Sequence, residues 1–299
     1  MAIGVNPYNS DWKEMINFLK TYKGARFNDC DVTAMEYNMY YPQVIRSLVR
    51  IIMSKYKDSD PEDNVVRKNF LLSIFNCVLY WEGGKYAGMN YNPSGHPMTA
   101  LLNSYVIRWW KRYTYYALMK KNLNSLICGS YSKYNKLIVL GDDSIEGSHP
   151  HVHEWYTPEA SAAICSEFGI VMTNAQKTTE WKDKWNLEEC DFLRRKFDLD
   201  EDGIPLPVLD KTSIETTLFY CRGRNTVDSR QSVCDSVLME AHYHGEEYFE
   251  RVRRVFTETK KWKKLSSLEI KTFRWFQIQR YEMFHGKGVN IPDICGSIE

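Results

Sequence analysis

Apolar positions recur along this chain with two different periods, and the changes between them mark out its elements. Trp12, Met15, Ile16 and Leu19 fall at helical spacing behind the cap-type residues Asn9, Ser10 and Asp11, which predicts a helix ending near Gly24. Residues 25–31 then read as a short strand. After Pro42 comes a strongly apolar helix carrying Val44, Ile45, Leu48, Val49 and Ile52. Residues 55–64 are charged and contain Pro61, so they are expected as a surface loop. A second apolar helix is expected over 69–79, then a turn at Gly83-Gly84 and strand-like residues up to Asn92. Residues 93–99 open the longest helical pattern, which runs to about Asn122.

The next change of period is the most informative. Leu137, Ile138, Val139 and Leu140 form an apolar, β-branched run that stops at Gly141-Asp142-Asp143, and a short apolar stretch returns after it. This predicts a hairpin with two adjacent carboxylates at its bend. Asp is at home in turns, so the pair alone can be a solvated bend. Repulsion between the two acids is equally well relieved by a hard divalent cation. Beyond it, Thr157-Pro158-Glu159 starts a helix that stops at Gly169, residues 169–173 read as a strand and 174–177 as a polar loop. Residues 190–197 alternate as a strand does. An acidic turn over 198–203 precedes Pro205 and Pro207, a domain boundary, and the pattern is helical from Lys211 through Leu218, Val233, Val237 and Met239 to Phe256.

Composition changes this picture little. The chain has 299 residues, 43% apolar and 14% aromatic, enough for one large domain or two smaller ones. A formal net charge of +1 does not advertise a nucleic-acid partner. Its distribution says more: residues 251–274 carry nine Lys/Arg against two Glu, interleaved with Phe256, Trp262 and Phe273, which suits either a phosphate-binding footprint or a solvated helix face. Eight scattered cysteines without Cys-x-x-Cys spacing argue against a zinc ribbon and for buried free thiols in a reducing compartment. No apolar run has the length of a membrane span, and the N-terminus has no signal-peptide pattern.

Two further segments carry candidate chemistry. Asp31 ends a predicted strand before a turn into a helix, a place where open sheets set ligands, although a solvated loop acid fits as well. Ser94, Gly95, Thr99, Asn103 and Ser104 put a dense polar set on the start of an otherwise apolar helix, with Thr99 and Asn103 on one face. That set can receive an anion or a sugar, or simply cap the helix.

In order along the chain, these segments resemble the RNA-dependent RNA polymerases of picornavirus-like positive-strand RNA viruses, with the dicistrovirus, iflavirus and marine picorna-like branch foremost. Asp31-x4-Glu36 is similar to the first palm motif, which in the family is Asp-x4-Asp. Ser94-Gly95-His96-Pro97-Met98-Thr99 with Asn103-Ser104 resembles the second, and Gly141-Asp142-Asp143 the third. Lys177 stands where the fourth has its lysine, and Phe192-Leu193-Arg194-Arg195 resembles the Phe-Leu-Lys-Arg of the fifth. All five occur in order across residues 31–195. Glu36 is one methylene longer than the family's Asp, and Leu140 replaces the aromatic or small polar residue often found before Gly-Asp-Asp.

The resemblance implies an α+β fold: a palm with an antiparallel sheet packed on helices in an RRM-like core, then an all-helical thumb, with most of the fingers absent. The palm is expected over 1–206, with a partial fingers insertion around 55–92, and the thumb over 207–299. It implies template-directed RNA synthesis for viral genome replication, by two-metal transfer of a nucleotide from an NTP to a primer 3′-OH. Asp31, Asp142 and Asp143 would hold Mg²⁺ or Mn²⁺ and Lys177 would protonate the pyrophosphate. Glu36, Thr99 and Asn103 would read the ribose, Ser94 and Gly95 would contact template and nucleotide, and Arg194 and Arg195 would touch the primer. Expected partners are template and primer RNA, NTPs, other viral replication proteins and, through them, host membranes, in a replication complex of the host cytoplasm. Family members have a fingers region before the first motif, so the chain is expected to be a polyprotein fragment, inactive in isolation, with Met1 artificial or internal. Two other readings are a non-catalytic RNA-binding or scaffolding remnant and a reverse transcriptase.

Overall fold

The computed structural model describes residues 1–56, 60–88, 90–122, 129–219 and 226–286, and only the backbone of Leu79 and Trp81. The chain falls into two compact units: the first comprises residues 1–4 and 18–193, the second residues 5–17 and 194–299. This division lies upstream of the expected one at 206/207. Helix α1 (Ser10–Leu19) belongs to the second unit except for its last two residues.

The first unit is built on a four-stranded antiparallel sheet. Its elements are β1 (Arg26–Val32), α2 (Met35–Asn38), α3 (Pro42–Met53), α4 (Pro61–Ile74), β2 (Val78–Trp81), β3 (Gly84–Ala87), α5 (Thr99–Lys121), α6 (Tyr131–Tyr134), β4 (Asn135–Leu140), β5 (Asp143–Ser148), α7 (Pro158–Ser166) and β6 (Met172–Thr173). The sheet order is β4-β5-β1-β6, so β1 is central, with β5 on one side and the short β6 on the other. One side of the sheet is covered by α3, α4 and α5, whose Val44, Ile45, Leu48, Leu71, Ile74, Leu102, Val106 and Ile107 pack with Val32, Val139 and Met172. Each such fully buried aliphatic side chain contributes about 1.5–3 kcal/mol.

Two expectations give way here. Residues 60–64 are not a loop but the start of α4: the Asp60 side chain accepts the Glu62 N–H at 2.8 Å, Pro61 occupies the first turn, and Glu62 and Asp63 face the positive helix end. Asp-Pro-Glu-Asp is a helix start, and its charge hid that signature. The helix then ends at Ile74, and Val78 and Leu79 belong to the β2–β3 hairpin, whose turn residues Glu82 and Gly83 both have positive φ.

The second unit continues with the small hairpin β7 (Asp198–Leu199) and β8 (Pro205–Leu206) and the helices α8 (Lys211–Thr217), α9 (Val227–His242), α10 (Glu246–Trp262) and α11 (Phe273–His285). Ile214, Cys234, Val237, Leu238, Ala241, Phe249, Leu268 and Phe276 form its core. Trp12 is brought in by α1 and stacks on Phe197 at 5.0 Å. The five described cysteines, Cys30, Cys77, Cys165, Cys190 and Cys234, are free, and Cys128, Cys221 and Cys295 lie outside the described residues. Among the described residues no helix is long and apolar enough to cross a membrane.

Residues 190–197 do not form the expected strand. Leu193 and Arg194 both take left-handed φ values of 55° and 59°, and Phe192 and Arg195 on either side of them are bridge residues and not part of a strand, Arg195 pairing with Leu209. The turn presents the Leu193 N–H to the Asp143 carboxylate, a bond a continuous strand would not make.

Candidate active site

The site lies where β1 and the β4–β5 hairpin end together. Leu140 pairs with Asp143, so the bend itself is Gly141-Asp142, with φ +65° at Gly141 and no positive φ at Asp142, as a type II′ turn requires. Helix α5 pins this bend: Ser104 accepts the Gly141 N–H at 3.0 Å while donating to the Ala100 carbonyl at 2.6 Å. In the β1–β5 register Cys30 faces Ser144, and one step on brings Asp31 opposite Asp143. The sheet thus delivers all three predicted acids to one place.

Their electrostatics follow from that convergence. Asp31 is nearly buried, and its Oδ1 accepts the Val32 N–H at 2.8 Å. Burial and then the charges of Asp142 and Asp31 push the Asp143 carboxyl up to about 6, against the smaller opposing pull of the Leu193 N–H and Lys177. Lys177 sits at φ +60° in the polar loop after β6, and its Nζ lies 3.3 Å from Asp31 Oδ2 although its side chain is 74% exposed. Among the described residues no group of three or more His, Cys, Asp or Glu stands close enough together to hold a metal ion as the side chains are placed. The donor set nevertheless suits a hard divalent cation: it is all carboxylate oxygen, and its mutual repulsion is what such an ion relieves.

The residues expected to meet the ribose gather at the start of α5. Asn103 Oδ1 accepts from Tyr40 Oη at 2.5 Å and Asn92 Nδ2 at 2.7 Å. Thr99 spends its hydroxyl on the Pro93 carbonyl at 2.8 Å, so it shapes the loop that holds Ser94 and Gly95, the latter at φ +88°. Glu36 stands in α2, its carbonyl accepting the Asn92 N–H at 3.2 Å.

Arg194 and Arg195 belong to the second unit. Arg194 donates to Ser213 Oγ at 3.0 Å and remains exposed. Arg195 is largely buried: it bonds both Glu240 oxygens, at 2.5 and 2.9 Å, the Pro207 carbonyl at 2.7 Å and the Tyr8 hydroxyl at 3.1 Å. Its guanidinium is engaged in packing that unit. The basic stretch is divided between α10, the following turn and α11; Trp262 is 88% exposed there, while Lys271 pairs with Asp235 at 3.2 Å.

Several structurally prominent residues carry no sequence motif. Asp29, two residues before Asp31, is fully buried and accepts from Lys184 Nζ at 2.7 and 2.6 Å and from the Asp191 N–H at 2.8 Å. Glu146 pairs with buried Lys111 at 3.3 Å. Tyr40 and Asn92 hold Asn103. A buried-polar criterion finds all of them, but burial is not written in a local pattern.

Comparison with known proteins bears on the chain as a whole. The sequence profile described as viral RNA-dependent RNA polymerase matches residues 1–260. The RNA1 polyprotein of Grapevine fanleaf virus is 28% identical over 261 residues, covering 86% of this chain and 11% of that polyprotein. The replicase polyprotein of Acute bee paralysis virus is 24% identical over 291 residues, covering 94% and 15%. The solved Sicinivirus 3Dpol RNA dependent RNA polymerase superposes with a TM-score of 0.70 at 19% identity, over 94% of this chain and 56% of that one. The chain therefore spans about a tenth of such polyproteins and about half of that polymerase, with which it shares its fold.

Proposed function

Since the chain belongs to the viral RNA-dependent RNA polymerase family, we propose that it supplies the palm and thumb of an enzyme that extends an RNA primer on an RNA template. The observation that carries this reading is the meeting of Asp31, Asp142 and Asp143 at one sheet end, beside Lys177 and the Asn103 platform.

Asp31, Asp142 and Asp143 would hold Mg²⁺ or Mn²⁺, which when bound stabilises negative charge on the attacking and leaving oxygens of the nucleotidyl transfer. The rest of the work belongs to the chain itself. Gly141 and Ser104 fix the angle at which Asp142 and Asp143 are presented. Lys177 carries a proton beside Asp31 and delivers it to the departing pyrophosphate. Glu36 and Asn103 meet the ribose, and Ser94 and Gly95 the incoming nucleotide and template. Arg194 and the exposed cations of α10 bind RNA through its phosphates. By the same reading the protein works with other products of its polyprotein in a replication complex of the host cytoplasm.

Primer extension on a homopolymer template with Mn²⁺, by a polymerase containing this chain, tests the assignment. Asp142→Ala is expected to abolish incorporation while RNA binding persists. Incorporation at the parental rate in that variant removes the acid cluster from the chemistry.

A further inference from the structure

Asn103 is useful for sugar reading only if its amide faces the sugar in one sense, and an Asn side chain has two senses of nearly equal shape. What fixes the sense is a small buried cycle behind it. Asn92, 0% exposed, sends one amide hydrogen to Asn103 Oδ1 at 2.7 Å and the other to Tyr40 Oη at 2.8 Å. Tyr40, 1% exposed, sends its own hydrogen to Asn103 Oδ1 at 2.5 Å.

The donor count closes. Both Asn92 hydrogens and the Tyr40 hydrogen are used, and Asn103 receives two of the three on its oxygen. If Asn103 alone turned over, its NH₂ group would face the NH₂ of Asn92, donor against donor, and turning both would trade the one unpartnered acceptor Asn92 Oδ1 for two unpartnered donors, in a dry setting where an unmade bond is costly. Its nitrogen is therefore held on the side away from Asn92 and Tyr40. The Asn92 backbone adds a second tie by donating to the Glu36 carbonyl at 3.2 Å. One residue thus touches both members of the sugar platform, the side chain of one and the backbone of the other. Among the described residues buried Asn92 Oδ1 has no hydrogen-bond partner, a cost that a packing residue of similar size such as Leu would not carry.

We propose that Asn92 and Tyr40 are positioning residues for ribose selection: they lock the Asn103 amide so that its NH₂ donates to the 2′-oxygen of the incoming nucleotide. This rests on the reading of Asn103 as a sugar contact. Neither residue touches the nucleotide in this scheme. Their effect passes through Asn103, and it should discriminate between substrates that differ only at the 2′ position.

The test compares incorporation of a ribonucleotide with that of its 2′-deoxy analogue on one template, using a polymerase containing this chain. Tyr40→Phe keeps the ring that packs 5.5 Å from Phe75 and removes only the hydroxyl. Asn92→Ala removes both donors. Each variant is expected to slow the ribonucleotide about tenfold or less, the scale of one oriented hydrogen bond, and to leave the deoxynucleotide rate nearly unchanged. Equal slowing of both substrates, or slowing of neither, overturns the proposal. Asn103→Ala separates the two readings. If it leaves the ribo-to-deoxy ratio intact, the sugar-contact reading falls and the proposal with it. If it lowers the ratio while Tyr40→Phe and Asn92→Ala do not, the positioning role alone is wrong. Tyr40→Phe is the variant to rely on should Asn92→Ala fail to fold.

Discussion

Strand β5 carries two carboxylates three residues apart, and they have opposite fates. Asp143 and Glu146 leave the strand on opposite faces because side chains alternate. Glu146 points into the core, 1% exposed, where Lys111 lies 3.3 Å away and the hydroxyls of Tyr131 and Tyr156 donate to it at 2.5 and 3.2 Å. Asp143 points to the sheet end, where its neighbours are two more acids and its carboxyl is pushed up to about 6. The same side-chain chemistry is structural where it is compensated inside the fold. Where it is not, the repulsion among the acids is what our proposed cation would relieve.

The compensated side can be broken most severely. Lys111→Met leaves Glu146 with two phenols and no counter-charge, and removal of one member of a buried pair costs about 3–5 kcal/mol. Chemical denaturation of the isolated chain reads this directly. The double variant Lys111→Met, Glu146→Leu should lose less than the single one, because no orphan charge remains. A single variant as stable as the parent would mean that the Lys111–Glu146 pair adds nothing to the fold.

A buried base sharpens the same contrast. His242 of α9 packs 4.7 Å from Phe273, and burial, with a lesser push from the Arg280 guanidinium, lowers it to about 4 from an ordinary 6.5. Folded protein keeps this ring neutral while the unfolded chain takes up a proton below pH 6.5. Stability is therefore full above 6.5 and falls as pH drops towards 4, by about 3 kcal/mol over that window. His242→Phe should flatten that part of the stability curve. An unchanged slope in the variant would assign the acid sensitivity to other groups.

The uncompensated side responds in rate, not stability. Lys177 is the one cation beside Asp31 among the described residues, and its 74% exposure means that Lys177→Leu costs little folding energy. Single-turnover incorporation should fall about a hundredfold, the lower range for general acid assistance, with nucleotide affinity nearly kept. A parental rate would return Lys177 to the role of a surface charge.

How much of this was legible in the sequence follows from how local each signal is. The Gly141-Asp142-Asp143 bend is written in consecutive residues, as are the α5 start and the Thr157 cap, whose hydroxyl accepts the Ala160 N–H at 3.1 Å. Pairing of Asp31 with that bend is not local. It came from the order of the motifs, and the β1–β5 register supplies its geometry. The missed features are of two kinds. The α4 start and the Leu193–Arg194 turn are hidden because their charge and alternation mimic a loop and a strand, where a cap and a pair of left-handed residues decide the backbone. Lys111–Glu146, Asp29–Lys184 and Arg195–Glu240 join residues far apart in sequence, and no periodicity announces them.

The smallest expected effect concerns Glu36, where the chain departs from the Asp of its family. The Glu36 backbone is tied through its carbonyl to the Asn92 N–H, so Glu36→Asp withdraws the carboxylate by one methylene without moving its anchor. A shorter side chain has one fewer torsion to immobilise. It should meet a 2′-hydroxyl with a narrower range of geometries, raising the preference for ribonucleotides over deoxynucleotides about threefold, within the range of a single hydrogen bond. Competition between the two triphosphates on one template measures this. A lowered ratio would show that the longer side chain is needed to span the distance. In that case Glu36 and the Asn92 anchor act as one unit, and the position tolerates glutamate because the backbone behind it is set for that length.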